Sequence, residues 1–324
     1  MKKLISLVLA AVMALSLVAC GSGSKDKDTD TGDKTYKVGV VQLVQHEALD
    51  AATKGFTDAL KEALGDKVEV EVKNASGDSN NCSTIVNGFI SDKVDLIMAN
   101  ATPALQAAAS ATSTIPILGT SVTDYATALE IADWTGTVGG NISGTSDLAP
   151  LDKQAAMLQE LFPNAKKVGM LFCSSEPNSK YQVDEVTKLL SAAGITCTEY
   201  TFTDSNDVSS VTQKACDDSD VLYIPTDNTA ASNTEAIANV LIPAGVPAIC
   251  GEEGLCRGCG VATLSISYYD LGVTTGKMAA KILKGEADIS TMPVEYTDAT
   301  PKYNASVCEQ LGITPLDGYE AIDG

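Results

Sequence analysis

The chain has 324 residues, of which 44% are hydrophobic and 20% are charged, so it is neither a disordered chain nor a small disulfide scaffold. Its 42 acidic residues outnumber its 22 basic residues, and the net charge of −20 disfavours nucleic acid and anionic lipid surfaces as main partners, because their phosphates would be repelled. One histidine (His46), one arginine (Arg257) and one tryptophan (Trp134) are present, which excludes chemistry that needs several histidine or arginine side chains.

The first twenty residues are typical of an export signal. Two lysines follow Met1, and residues 4–19 form an apolar run that is shorter than the roughly 20 residues needed to span a bilayer. The run ends in the letters LVACG at 17–21, which resemble the cleavage motif of bacterial lipoproteins. We therefore expect 1–19 to be a signal peptide and Cys20 to become the lipidated first residue. An ordinary secretory signal with a chance cysteine is the alternative.

Residues 20–35 are predicted to form a lipidated, flexible tether. After Cys20 this segment contains no apolar side chain, and the next one is Tyr36. A diacylglycerol on Cys20 would bring at least two acyl chains, which is enough for stable anchoring. The predicted location is therefore extracytoplasmic, at the outer face of the cytoplasmic membrane.

From Tyr36 onward, short apolar runs alternate with helical segments, a pattern typical of a parallel α/β sheet. The predicted strands are 38–43, 68–72, 94–98, 115–118, 168–172, 195–200, 221–224 and 246–249. The predicted helices between them include 47–64, 103–111, 152–161 and 234–243.

The same series of strand motifs occurs twice along the sequence. The letters KVGVV at 37–41 are echoed by KVGML at 167–171, DLIM at 95–98 by DVLYI at 220–224, and IPILG at 115–119 by VPAICG at 246–251. The offsets of 130, 125 and 131 residues keep the same order, so we infer two similar α/β lobes that arose by duplication.

Polar side chains follow the predicted strands of both lobes. Ligands of open parallel sheets bind at the carboxyl ends of the strands, so two facing lobes would form a cleft between these loops. The candidate ligand contacts are Gln42, His46, Glu47, Thr102, Ser121, Thr123, Ser174, Asn178, Thr226, Asp227, Asn228 and Glu253. The alternative is that such residues cap the helices that follow the strands.

Seven short motifs carry a resemblance to a known family. They are VQLVQHEALD at 41–50, ATPA at 101–104, VTD at 122–124, GGNISGTSD at 139–147, PTDN at 225–228, GEEG at 251–254 and YYDLG at 268–272. Together they resemble the ABC-transporter substrate-binding lipoproteins related to tryptophan-uptake binding proteins. The resemblance runs from about Tyr36 to the last helix.

This resemblance implies a type I periplasmic-binding-protein fold, an α/β class with two Rossmann-like lobes joined by a three-segment hinge. The lobes would comprise 36–146 with 268–292, and 147–267 with 293–324. The crossings would lie near 145–147, 265–269 and 292–295. Helix 270–284 would return to the first lobe, and helix 303–312 would pack on the second.

The resemblance also implies a function. The protein would close on an aromatic amino acid (tryptophan, phenylalanine or tyrosine) and deliver it to an ABC permease and ATPase complex. We expect a monomer without a cofactor or a bound metal.

A free amino acid needs partners for both charges. The start of the helix at Pro103, with the hydroxyls of Thr102, Ser121 and Thr123, suits the carboxylate. Asp227 is the first choice for the ammonium group and Glu253 the second.

Aromatic and histidine contacts are also expected in the cleft. An aromatic ring of the ligand could lie against Tyr181, Phe172 or Tyr269. His46 is predicted to contact the cleft, with capping of its own helix as the alternative.

The cysteines after Cys20 fall into two groups. Five are predicted to be small core residues, namely Cys82, Cys173, Cys197, Cys216 and Cys308. The other three, Cys250, Cys256 and Cys259, depart from the family pattern; a disulfide and free thiols are equally favoured, and zinc is less favoured because a fourth ligand is missing. Their glycine neighbours predict a turn, and we hypothesise that the group rigidifies the loop at 252–253.

Other functions are less well supported. An enzyme is not indicated, because no nucleophile elbow, complete Ser-His-Asp set or phosphate-binding glycine motif is present. A type I binder of a sugar or nucleoside remains an alternative, although one tryptophan outside the cleft loops and one arginine disfavour a sugar. A ligand-sensing lipoprotein without a permease is the third alternative.

Overall fold

The computed structural model describes residues 34–322. The predictions for the signal peptide at 1–19, for lipidation of Cys20 and for tether residues 20–33 lie outside the described residues. Within residues 34–322, no helix combines the length and the apolar character needed to cross a bilayer.

The first lobe is built on a six-stranded sheet. Its strands are β1 (Tyr36–Gln42), β2 (Val68–Asn74), β3 (Leu96–Asn100), β4 (Ile117–Val122), β5 (Ile142–Ser146) and β11 (Glu295–Tyr296). They lie in the order β11-β5-β4-β3-β1-β2, and every neighbouring pair is parallel. The carboxyl ends of these strands therefore share one edge of the sheet.

The second lobe is built on a seven-stranded sheet. Its strands are β6 (Lys167–Cys173), β7 (Thr196–Phe202), β8 (Val221–Ile224), β9 (Ala248–Cys250), β10 (Ala262–Ile266), β12 (Ala299–Tyr303) and β13 (Glu320–Ala321). Their order is β13-β12-β10-β9-β8-β6-β7, and only the β10–β12 pair is antiparallel.

Helices cover both faces of each sheet. They are α1 (Glu47–Leu64), α2 (Ser79–Ser91), α3 (Thr102–Ala111), α4 (Tyr125–Ala128), α5 (Leu151–Leu161), α6 (Pro177–Ala192), α7 (Val208–Asp218), α8 (Asn228–Ala231), α9 (Thr234–Ala244), α10 (Glu253–Cys259), α11 (Tyr268–Leu283) and α12 (Ala305–Leu311). Because both faces are covered, the central strands such as β1, β3, β6 and β8 are buried at nearly every position, whereas the edge strands β2 and β7 alternate with exposed polar residues. In β3, Leu96 and Met98 enter the core on one face, and Ile97 and Ala99 enter the core on the other.

The predicted fold class is confirmed. Each of the eight predicted strands overlaps an observed one, and the first predicted helix coincides with α1. The prediction missed β5 and β10–β13, which are short or belong to the segments that connect the lobes.

The chain passes between the two sheets three times. It leaves the first sheet after Ser146, returns between Ile266 and Tyr268, and leaves again between Tyr296 and Ala299. The third crossing was expected at 292–295, but β11 still pairs with β5, so the crossing comes a few residues later.

Helix α11 returns to the first lobe and packs closely against α1. A Cβ on Gly55 would collide with the backbone oxygen of Tyr269, and one on Gly272 would collide with that of Ala52. Glycine is therefore required on both helices at this contact. The close packing attaches the second crossing firmly to the first lobe.

Candidate functional site

A cleft of about 380 Å3 lies between the carboxyl edges of the two sheets. From the first lobe it is lined by Leu43, Val44 and Pro103, among others, and from the second lobe by Glu176 and Asn228, among others. The predicted cleft between paired loops is therefore present in the structure.

Three neighbouring strands of the first lobe each present a buried polar side chain at this edge. Thr102 follows β3, Ser121 lies at the end of β4, and Asp147 follows β5. They are 3%, 6% and 5% exposed. Thr102 Oγ1, Ser121 Oγ and Asp147 Oδ1 have no hydrogen-bond partner among residues 34–322. Buried polar atoms in folded proteins are nearly always paired, so this group is unusual.

The backbone at the same edge is strained. Ala101 has a φ of 93° and Ser121 a φ of 53°, values that non-glycine residues rarely adopt. Helix α3 begins here with Pro103 in its first turn, and no side chain caps its first N–H groups. These N–H groups and the two free hydroxyls together offer hydrogen-bond donors to an anion.

Asp147 connects this edge to the hinge. Its Oδ2 accepts a hydrogen bond of 2.9 Å from the hydroxyl of Tyr268, which begins α11 after the second crossing. Burial raises the pKa of Asp147 to about 6, against the opposing effect of hydroxyl donors from Tyr268 and Thr123. The sequence analysis placed Asp147 at a crossing and did not select it as a ligand contact. The available signal was its position directly after a strand, inside one of the family motifs.

Asp227, the first choice for an ammonium partner, is placed differently from the expectation. It is 1% exposed, and both of its oxygens accept hydrogen bonds within the second lobe. The donors are Ala230 N at 2.8 Å, Cys173 N at 2.7 Å and Ser179 Oγ at 2.7 Å. Burial, followed by the nearby Glu176 carboxylate, raises the pKa of Asp227 to about 8. The geometry favours a structural role, in which Asp227 caps α8 and joins it to β6.

Two further carboxylates of the second lobe are used in the same way. Glu176 accepts hydrogen bonds from the backbone and side chains of Asn228 and Thr229, at 2.7 to 2.9 Å. Glu252 caps α10 by accepting from the backbone N–H groups of Gly254 and Leu255, and burial raises its pKa to about 7. Neither Glu176 nor Glu252 was among the predicted ligand contacts.

Asn178 and Thr226 lie opposite Asp147. The Asn178 side chain donates to the Thr226 carbonyl at 3.1 Å, and its own Oδ1 has no partner among residues 34–322. The Thr226 side chain hydrogen-bonds to Tyr268. A continuous series of contacts therefore runs from Asp147 through Tyr268 and Thr226 to Asn178, and it crosses from one lobe to the other.

Direct contacts also join the outer rims of the lobes. His46 Nε2 lies 3.3 Å from Asn228 Oδ1, and its side chain makes no cap of its own helix. Burial lowers the pKa of His46, with the Asn228 hydrogen bond and nearby carboxylates acting in the opposite direction. Glu47 forms an ion pair with Arg257 across the cleft.

The second choice for the ammonium group, Glu253, belongs to this rim. It pairs with Arg257 at 2.9 Å and with Lys302 at 2.5 Å, both in the second lobe. Its charge is therefore already balanced at the outer edge of the cleft, which makes it a weaker candidate than Asp147.

The remaining predicted site residues are more remote. The amide of Gln42 is used inside the first lobe by Val44, Asp50 and Thr53. Ser174 is exposed, and its hydroxyl donates at 3.4 Å to Phe202 O at the end of β7.

The structure places two of the three predicted aromatic contacts away from the cleft. Phe172 is 1% exposed and packs within the second-lobe core. Tyr269 lies on the outer surface, where its hydroxyl donates to Asp58 and its ring faces Lys54. Tyr181 is half-buried near Asp124 of the first lobe and stays a candidate.

The cysteine predictions are largely confirmed. All eight described cysteines are free thiols, and of the five predicted core residues four are buried and Cys197 is half-buried. The turn expected around Cys256 and Cys259 is wrong, because both lie in α10, where the Glu252 cap stabilises a helix despite the glycines. Cys250 is within hydrogen-bonding reach of both thiols, and burial raises its pKa. Among residues 34–322 no group of three or more potential ligands is arranged to hold a metal ion.

Comparisons with known proteins agree with this architecture. A family model for ABC transporter substrate binding proteins matches residues 37–318. The tyrosine-binding protein of Clostridioides difficile (strain R20291) is 36% identical over 308 residues, which cover 92% of this chain and 89% of that protein.

Comparison with two solved structures, one with a bound ligand and one open, indicates how the lobes of this chain are arranged. An ABC domain from Streptococcus pneumonia in complex with L-Trp is 32% identical, with a TM-score of 0.84 over 89% of this chain and 100% of that chain. The ligand-free, open structure of a substrate-binding protein with adhesive properties from Clostridium difficile is 36% identical, yet its TM-score is 0.67 over 89% of this chain and 99% of that chain. The lobes of this chain are therefore arranged more like those of the L-Trp complex.

Sugar-binding proteins are more distant. The glucose-galactose binding protein from Geobacillus stearothermophilus is 14% identical, with a TM-score of 0.60 over 84% of this chain and 98% of that chain. This likeness shows the shared fold alone.

Proposed function

This chain belongs to the ABC transporter substrate-binding protein family, and from that premise we propose that it captures an aromatic amino acid, tyrosine or tryptophan, between its two lobes. The observation that carries the proposal is that two relatives above 30% identity are a tyrosine-binding protein and an ABC domain in complex with L-Trp. Unpaired polar side chains at the carboxyl edges of both sheets support it, because a small polar ligand would satisfy them.

The first-lobe edge suits the carboxylate of such a ligand. The hydroxyls of Thr102 and Ser121 can donate hydrogen bonds, and Thr123 follows directly after the strand that contains Ser121. The uncapped N–H groups of α3 add a favourable dipole. On the opposite side, Asn178 and Thr226 of the second lobe complete the enclosure as it closes.

The proposal extends to the protein's place in transport. The closed form would be offered to an ABC permease and ATPase complex outside the cytoplasm, with binding and release and no catalytic step. Lipidation of Cys20 would hold the protein at the membrane as a monomer on a tether ending near Thr35. The lipid anchor is tested by acyl labelling of the full chain, which Cys20→Ser should abolish.

The ligand is identified by calorimetry and thermal unfolding. Residues 21–324 are first unfolded and refolded to remove carried ligand, then mixed with the twenty amino acids, ribose, glucose and nucleosides. Tyrosine or tryptophan at 100 times its dissociation constant should stabilise the fold by about 2.7 kcal/mol. A response to sugars or nucleosides alone would contradict the proposal.

A further inference from the structure

We propose that Asp147, in the first crossing between the lobes, binds the α-ammonium group of the ligand and couples ligand binding to the hinge. The inference rests on the proposed function and deepens it, because it makes a free α-amino group a requirement for binding. It also replaces Asp227 as the ammonium partner.

Four buried carboxylates lie near the cleft. Glu176, Asp227 and Glu252 each have both oxygens occupied by donors of the second lobe. Asp147 Oδ2 accepts from Tyr268, whereas Oδ1 meets no donor in hydrogen-bond geometry among residues 34–322, although the Thr123 hydroxyl lies near this carboxylate. It is thus the carboxylate in this group that can accept a further donor without losing an existing bond.

The buried negative charge of Asp147 also favours a cationic partner. Asp147 is 5% exposed, and its side chain forms no ion pair among residues 34–322. A buried carboxylate is stabilised by a cationic donor more than by a neutral hydroxyl, because the cation balances the charge. A primary ammonium group provides both the charge and the hydrogen bonds.

The positions of the other unpaired groups fit the same ligand. Ser121 lies at the end of β4 and Thr102 follows β3, and β4 and β3 are the next strands after β5 in the sheet, so their hydroxyls lie along the edge from Asp147. A zwitterion needs a carboxylate at one end and hydrogen-bond donors at the other. The edge provides these two features on adjacent strands.

The link to the hinge follows from Tyr268. This residue begins α11 after the second crossing, whereas Asp147 belongs to the first, so their hydrogen bond joins two hinge segments. Tyr268 also contacts Thr226 of the second lobe. A ligand held by Asp147 therefore acts at the point where the lobes rotate.

The test compares L-tyrosine and L-tryptophan with their deaminated analogues, 3-(4-hydroxyphenyl)propionate and indole-3-propionate. Calorimetry on refolded wild-type protein should show the amino acids binding about 100-fold more tightly than the analogues. In Asp147→Asn, which keeps the shape and the bond to Tyr268, this preference should disappear while the analogues keep their affinity to within about threefold.

Two variants make the result specific. Asp227→Asn changes an equally buried carboxylate and should keep the preference for the α-amino group, even if the affinity falls for every ligand. Tyr268→Phe keeps the Asp147 carboxylate and should also keep the preference. Circular dichroism and thermal unfolding verify that each variant is folded.

The outcomes separate the two proposals. If wild-type protein binds the amino acids and Asp147→Asn retains the preference, the inference is overturned and the proposed function stands. If Asp227→Asn removes the preference, the ammonium site belongs to the second lobe. If wild-type protein binds no amino acid, the proposed function itself fails.

Discussion

The two carboxyl edges that form the cleft differ in how they use their polar residues. In the second lobe, Glu176, Asp227 and Glu252 are saturated by backbone and side-chain donors of their own lobe. In the first lobe, Thr102 and Ser121 keep side-chain oxygens without partners among residues 34–322. The buried carboxylates of the second-lobe edge are thus already paired, although Asn178 Oδ1 is not, whereas the first-lobe edge keeps two hydroxyls without partners among the described residues.

Backbone strain follows the same division. Within residues 34–322, every non-glycine residue with a positive φ lies in the first lobe, and Ala101 and Ser121 are at the cleft. Strain of this kind is concentrated at binding sites, where surrounding structure holds it in place. The strained residues at the cleft therefore belong to the lobe that also carries the unpaired hydroxyls.

The largest expected effect is on the second lobe. Glu176→Ala removes the acceptor of two part-buried backbone N–H groups, at Asn228 and Thr229. We expect the free energy of unfolding to fall by about 4 kcal/mol, measured by urea denaturation. The exposed Glu185→Ala, which removes only an ion pair with Lys188, should change it by less than about 0.5 kcal/mol. A small effect of Glu176→Ala would show that this edge is less saturated than its hydrogen bonds indicate.

A smaller loss is expected for Asp227→Asn. An amide cannot accept from Cys173 N, Ser179 Oγ and Ala230 N together, because one of its two ends is a donor. Unfolding free energy should fall by about 2 kcal/mol, while Asp184→Asn on the exposed face of α6 should be nearly neutral. Asp227→Asn with unchanged stability would contradict the capping role.

Ligand affinity should depend on pH through Asp147 of the first lobe. Asp147 has a pKa of about 6 and must be ionised to hold an ammonium group, so protonation below this value weakens binding. Affinity for L-tyrosine should be about tenfold lower at pH 5 than at pH 7, corresponding to about 1.4 kcal/mol.

A control is needed because other titratable groups lie near Asp147 or at the rim of the cleft. Tyr125 and Tyr268 face Asp147, but burial raises the pKa of both, so they stay neutral in this range. His46 titrates at the rim, and its pKa is lowered from 6.5. Asp147→Asn should abolish the tenfold change. A full pH dependence in that variant would assign the titration to another group.

The smallest effect has opposite signs for stability and binding. Ser121→Gly relieves a φ of 53° and should raise the free energy of unfolding by about 0.5–1 kcal/mol. It also removes a hydroxyl from the proposed carboxylate site, so ligand affinity should fall about tenfold. Lys93→Gly, at a φ of 55° on an exposed loop away from the cleft, should give the same stabilisation with unchanged affinity. Equal affinities in both variants would remove Ser121 from the site.

The sequence by itself determined the architecture. Apolar runs of four to six residues predicted the buried parallel strands, because helices cover both faces of such sheets and the central strands enter a core on both sides. The amphipathic segment from Glu47 and the glycine after it predicted α1 with its observed bounds. The repeat at offsets near 130 residues predicted two lobes, and the motifs placed the cleft between their loops.

Only the tertiary structure decided which polar residues face the cleft and which complete the fold. Serine, threonine, aspartate and asparagine serve as helix caps and as ligand contacts, so their presence after a strand is equally consistent with both roles. Asp227 is saturated by Cys173 and Ser179, which lie 54 and 48 residues away along the chain, and Asp147 meets Tyr268 across 121 residues. Hydrogen-bond partners brought together from such distances determine whether a carboxylate is already satisfied, and local sequence contains no record of that pairing.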